Sequence, residues 1–277
     1  MIEESAQTNM KIGFIGCGNM TSAIVRGLVN NGMSANQIMA SNRGIEKLEE
    51  IERQTGILTT QDNHLCAEFS DLLILSIKPQ VLPKVCASLK EIDLSKKVII
   101  SVVAGITTTR ISESLNQDLS IIRAMPNTPA LISEGATGLF ANQRTTDDQR
   151  QQVQLIFDSV GYTKWVEQEA LIDVVTAIAG SAPAYFYMLM EAMTDQAVSD
   201  GLDYGSARKL VTQAVIGSGK LAQVNEKTSL LELRQKVTSP GGTTAAAIDS
   251  FEQNGFSNII KQAVSAAVKR GKELGDN

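Results

Sequence analysis

Three clusters of residues in this chain have the types and spacing to do chemistry. Gly16 and Gly18 follow a short apolar run, Ile12-Gly13-Phe14-Ile15, and precede Met20, Ala23, Ile24, Gly27 and Leu28 at three- and four-residue steps. Strand, glycine turn and helix form the context in which glycines bind a dinucleotide. Gly16 permits the tight turn, and Gly18 lets backbone N–H groups approach a pyrophosphate at the positive end of the helix. The third small position of that fingerprint is Thr21, leaving Ala23 and Gly27 to keep helix and sheet close. The second cluster, Ser41-Asn42-Arg43, ends another apolar run. A carboxylate there would accept from a ribose 2′-OH; none is present, and Arg43 suits a 2′-phosphate. NADP(H) is therefore favoured, with NAD(H) still allowed; an arginine that only caps a solvated loop is the plainer alternative. The third cluster is Ser239-Pro240-Gly241-Gly242-Thr243-Thr244, a loop running into a helix start. Its threonines either cap that helix or offer N–H groups and hydroxyls to an anion.

Other chemistries are excluded by what the chain lacks. Its one histidine, His64, sits in the polar stretch Gln61-Asp62-Asn63-His64, so neither a histidine-built metal site nor a catalytic histidine in the second half is available. The three cysteines, Cys17, Cys66 and Cys86, are widely spaced and match no metal-ligand pattern, so no metal is expected and a reduced, cytoplasmic setting is. A net charge of −5 gives no general attraction to nucleic acid or to anionic membranes. Residues 1–10 are polar, lack the apolar run of a secretion signal, and read as a flexible extension.

The elements that must position these clusters follow from periodicity. Near-continuous apolar runs at 71–77 and 98–103 predict parallel strands covered on both faces, and 38–41, 57–60, 121–125, 138–141 and 162–166 supply further strands. Helices are predicted over 45–55, 204–224 and 256–274. Alternating strand and helix defines a doubly wound, Rossmann-like α/β domain over 11–167. From residue 168 to 277 no strand is evident. Residues 174–190 carry no charge, and apolar side chains lie all round the helix they predict. Such a helix needs burial on every side or a membrane. Its polar and proline interruptions favour burial, and a half of this size has little core of its own. A second copy of the chain is the expected cover, making this an all-helical dimerisation domain and the protein a homodimer.

Taken together, Ile15-Gly16-Cys17-Gly18-Asn19-Met20 and the 239–244 loop closely resemble the pyrroline-5-carboxylate reductase family, which makes L-proline by reducing a cyclic imine with NAD(P)H. Ile77-Lys78-Pro79-Gln80, Met125-Pro126-Asn127-Thr128-Pro129 and Gly180-Ser181-Ala182-Pro183-Ala184-Tyr185 are similar to that family's motifs in the same order, so the likeness covers about 11–274. The resemblance implies that Ile15, Gly16, Cys17, Gly18, Asn19 and Met20 meet the pyrophosphate. It implies that Ser41, Asn42 and Arg43 meet the adenosine ribose or its phosphate. Asn63, then Ser76, Ile77, Lys78 and Pro79, then Val102, Val103 and Ala104, would line the rest of the cofactor. Ser239, Gly241, Gly242, Thr243 and Thr244 would hold the substrate carboxylate, the Thr244 hydroxyl acting near the ring nitrogen, and Glu169 would lie near the substrate. The family also builds rings of dimers. A β-hydroxy acid dehydrogenase would need a catalytic lysine on the long second-domain helix, and residues 167–201 contain no lysine. A broader imine reductase and a non-catalytic NADP-sensing protein are the other readings.

Overall fold

The computed structural model describes residues 10–276, so the extension expected over 1–10 lies outside the described residues except for its last member. Met10 itself packs against the core, and its carbonyl accepts from Gln37 Nε2 at 3.3 Å. The strands are β1 (Ile12–Ile15), β2 (Ile38–Ser41), β3 (Leu58–Thr60), β4 (Leu72–Leu75), β5 (Val98–Ser101), β6 (Ser120–Met125), β7 (Gly135–Ala141) and β8 (Gly161–Trp165). Between them run α1 (Asn19–Asn30), α2 (Ile45–Thr55), α3 (Asn63–Phe69), α4 (Leu82–Leu89), α5 (Thr108–Leu115) and α6 (Asp147–Asp158). The later helices are α7 (Leu171–Val175), α8 (Ala182–Ser199), α9 (Tyr204–Val224), α10 (Leu230–Lys236), α11 (Thr243–Gln253) and α12 (Phe256–Asp276). Among the described residues no strand follows β8.

One eight-stranded sheet has the order β3-β2-β1-β4-β5-β6-β7-β8. The pairings are parallel except β6 with β7. The order reverses at β1, whose Ile15 lies level with Ser41 on one side and Leu75 on the other. The continuous apolar runs now have their reason. Ile12, Phe14, Leu72, Ile74, Val98 and Ile100 face one layer with Ile24, Leu28, Leu48 and Ile51 of α1 and α2. Ile15, Leu73, Leu75 and Ile99 face the other, with Leu82, Val85 and Leu89 of α4 and Ile111 of α5. A strand buried on both faces leaves no position for a polar alternate.

Thr21 fits the helix start well. It is fully buried, and its Oγ1 donates to the Gly16 carbonyl at 2.7 Å. Further along α1, Gly27 lies so close to Val160 that a Cβ there would come within 2.4 Å of Val160 Cγ1. The close approach expected between Gly27 and the sheet is thus made to the turn between α6 and β8.

The chain forms two compact units. One takes in residues up to Pro183 and returns at Ala267; the other is Ala184–Ala266. The division between the compact units falls at the start of α8, and α7 and the turn after it belong to the first unit. Arg123 on β6 holds α7 there, donating to Asp173 at 2.8 Å. Between α7 and α8 the backbone makes a π-helical turn, Thr176–Gly180, and the Asn127 side chain donates to its Ala179 carbonyl at 3.1 Å.

The second unit contains helices and no strand among the described residues, and many of its apolar side chains face outward. On α8, Phe186 is 55% exposed, Tyr187 62% and Met188 74%. Within one chain the charge-free stretch 174–190 is not covered, which leaves its expected cover to a second copy. The stretch Leu171–Ser199 is long and apolar enough to cross a membrane by length and composition.

Candidate active site

The C-terminal ends of β1, β2 and β4 meet where the strand order reverses, the place where open α/β sheets bind ligands. A cavity of about 510 Å³ opens there. Gly16 makes its floor. Its φ is +102°, and a Cβ on it would sit 2.2 Å from the Ser76 carbonyl oxygen, so only glycine turns the chain here without displacing β4. Its N–H donates to the Ser41 carbonyl at 2.9 Å, tying the turn to β2. Gly18 is the N-cap of α1; no side chain caps that end, no acidic residue lies in its first turn, and a Cβ on Gly18 would meet nothing within 4 Å. The first N–H groups of α1 thus have no side-chain acceptor there, which is the condition for anion binding.

Of the residues expected at the cofactor, Ile15, Gly16, Cys17, Gly18, Ser41, Asn42, Arg43, Asn63, Ser76, Ile77 and Lys78 all line this cavity. Asn19 lines a neighbouring recess that shares Cys17, Gly18 and Lys47 with it. Met20, Pro79 and Val102 to Ala104 are not among the lining residues. Met20 and Val102 pack against the core, Val103 is buried in it, and Pro79 opens a short 3-10 turn. Several lining side chains are already committed. The Cys17 thiol points into the core side and donates to the Lys47 carbonyl at 3.6 Å, and Ser41 Oγ donates to Asn63 Oδ1 at 2.8 Å. These two offer mainly backbone to a ligand. Burial pushes the Cys66 thiol up to about 12 and the Cys86 thiol to about 11, and raises Cys17 as well. All three stay protonated near neutrality and are not nucleophiles.

Sequence reasoning missed Lys47, Val81, Lys84, Val85 and Ser88, which also line the cavity. A signal for the last four was present: they recur at i, i+3, i+4 and i+7 just after a strand end. The lining therefore carries Arg43, Lys47, Lys78 and Lys84 but no aspartate or glutamate. None of the four forms an ion pair among the described residues. Four unneutralised cations in one cleft repel each other unless an anion joins them. A dinucleotide with its phosphates fits that cradle.

Glu169 is held by partners within its own unit. Its Oε1 accepts from the Thr108 N–H at 2.7 Å, its Oε2 from Thr108 Oγ1 at 2.9 Å, and Arg123 Nη1 lies 3.8 Å from Oε1. Both carboxylate oxygens are thus committed to the start of α5 and to the buried Arg123.

In the second unit the 239–244 loop turns tightly: the Gly242 N–H donates to the Ser239 carbonyl at 3.1 Å, and Gly241 has φ +68°. Gly242 is the N-cap of α11, with no side-chain cap. Thr243 and Thr244 are exposed in the first turn, and neither hydroxyl caps the helix. Of the two alternatives left open by the sequence, capping is not the one adopted.

A doubly wound sheet with an uncapped glycine turn at its switch point, followed by an all-helical unit, is the arrangement of a Rossmann-type nucleotide-binding protein. Comparison with known proteins narrows this. Residues 11–105 match the family model described as NADP oxidoreductase, coenzyme F420-dependent, and residues 169–274 match the model for pyrroline-5-carboxylate reductase dimerisation. The pyrroline-5-carboxylate reductase of Vibrio alginolyticus is 44% identical over 95% of this chain and 97% of its own length. That of Pseudomonas aeruginosa is 40% identical over 96% and 97%. A solved pyrroline-5-carboxylate reductase from Coxiella burnetii superposes with a TM-score of 0.91 at 41% identity, covering 96% of this chain and 99% of that one. A Plasmodium falciparum pyrroline carboxylate reductase solved with NADP bound gives 0.86 at 29% identity, covering 96% and 98%. The chain belongs to the pyrroline-5-carboxylate reductase family. The dimerisation model spans the apolar stretch of α8, so a partner subunit rather than a lipid bilayer accounts for its outward-facing side chains.

Proposed function

We propose that this protein reduces 1-pyrroline-5-carboxylate to L-proline with a hydride from NADPH, the last step of proline synthesis. NADPH supplies the hydride when bound. The residues present fit its phosphates: an uncapped α1 start, the open face of Gly18 and four free cations. The observation that carries the substrate reading is the start of α11. There, uncapped N–H groups and two exposed threonine hydroxyls suit a carboxylate and a ring nitrogen. Reduction adds the hydride to the imine carbon and leaves its nitrogen with one more proton. The product amine is basic, so no strong acid is needed, and a threonine hydroxyl or water suffices to hydrogen-bond the nitrogen. A domain without histidine is adequate for this chemistry, provided donor and imine carbon are held about 3–3.5 Å apart.

The same reading takes the protein as a cytoplasmic homodimer that assembles further into a ring of dimers. Three free, buried thiols support the reducing compartment, and sedimentation measures the assembly. The activity test follows NADPH oxidation with 1-pyrroline-5-carboxylate, with a cyclic imine lacking the carboxylate, and in reverse with a hydroxy acid. Rapid turnover of the first alone is expected. Equal rates with both imines would remove the carboxylate site, and hydroxy acid oxidation without imine reduction would overturn the reading. Thr244→Ala is expected to lower turnover with the fold intact; wild-type turnover and KM would leave Thr244 without a chemical role.

A further inference from the structure

The cofactor cavity has two walls from opposite layers of the sheet. Arg43 and Lys47 come from the β2–α2 connection and α2, whose apolar side chains pack with α1. Lys84 comes from α4, which packs on the other face. Val81 and Val85 stand beside Lys84 on the α4 stripe and give an apolar shelf for a flat base. The loop carrying Arg43 is pinned: its carbonyl accepts from Gln61 Nε2 at 2.7 Å, and the Asn42 N–H donates to Thr60 at 3.2 Å. Its guanidinium and the two ammonium groups have no anionic partner among the described residues.

Charge counting then separates the two nicotinamide cofactors. The pyrophosphate of either brings two negative charges, and the 2′-phosphate of NADPH adds about −1.5 to −2 near neutral pH. Four cations with no carboxylate match the second total and overshoot the first. We propose that Lys84 is a specificity-determining residue that grips the 2′-phosphate from the α4 wall while Arg43 grips it from the α2 wall. The phosphate then bridges the two walls of the cleft. This rests on the NADPH part of the reading above and is independent of the imine.

Two probes that differ only in the 2′-phosphate test it, adenosine 2′,5′-bisphosphate and 5′-AMP. Each is titrated calorimetrically into the full chain, its Lys84→Met and Arg43→Met variants and the double variant, with circular dichroism confirming the fold. Lys84→Met is expected to weaken the bisphosphate about tenfold and leave 5′-AMP within about twofold, as loss of a charge-assisted contact to one phosphate would. The double variant should lose less than the product of the single losses, because both residues meet one group. Equal weakening of both probes would place Lys84 at the 5′-phosphate or the base and overturn the proposal. An unchanged bisphosphate affinity would overturn it too, and so would losses that multiply independently. No imine enters the assay, so a protein that binds as expected but fails to reduce the imine refutes the activity alone.

Discussion

Replacing Gly16 by alanine tests whether the turn at the end of β1 is what shapes the cofactor site. The new methyl would stand 2.2 Å from the Ser76 carbonyl oxygen and 2.9 Å from Ile77 Cγ2, about 1 Å inside ordinary contact with a backbone atom that cannot rotate away. The Ser76 N–H is bonded to the Ile15 carbonyl at 2.9 Å, so the turn cannot recoil without pulling β1 from β4. A φ of +102° adds a conformational penalty for any residue with a Cβ. Backbone strain of about 1–2 kcal/mol and overpacking of about 1–3 kcal/mol give a loss of roughly 2–5 kcal/mol. For a chain of this size that is on the order of 10 °C in melting temperature. Gly18→Ala is the control, because its φ is −100° and its Cβ meets nothing within 4 Å. It should melt with the wild type yet bind NADPH about tenfold more weakly, the methyl standing where α1 receives the pyrophosphate. Differential scanning fluorimetry and quenching of NADPH fluorescence read the two effects. A Gly16→Ala protein with wild-type melting and affinity would refute this reasoning, as would a Gly18→Ala protein that loses stability and keeps affinity.

Four further outcomes follow. Arg123→Met leaves Asp173 buried without its 2.8 Å partner and should cost about 3–5 kcal/mol in urea unfolding, part of which Asp173→Leu in the same chain restores. Arg43→Ala should weaken NADPH more than NADH; equal losses in a fluorescence titration would remove Arg43 from the 2′-phosphate. Ellman's reagent at pH 8 should find no reactive thiol in the native protein and three after unfolding. Cys66 ionises at about 12 in the fold against 9.0 unperturbed, so its contribution to stability is complete below pH 9 and is lost as pH rises through 12.

The first half was legible because its physics is local. Runs such as Leu72–Leu75 are apolar at every position only when both faces are covered, and the glycines declare the turn that follows β1. Strand direction was not legible: nothing in the composition of β7 distinguishes its antiparallel pairing with β6 from the parallel neighbours. The partners of Glu169, Thr108 and Arg123, were not legible because they are remote in sequence, and an acidic residue does not announce which helix start it meets. Lys47 and Lys84 were missed because motif reading stops at the strand end, whereas the cavity extends a further turn along each helix. The outward face of α8 could be read only as a need for cover.

That face has a thermodynamic consequence. Residues such as Met188 and Tyr187 lie exposed within the span of the dimerisation family model, and shelter taken from another molecule couples the folding of the helical half to association. Its melting point is then a property of the solution as much as of the chain: dilution lowers it, and the protein is sturdiest where it is most abundant.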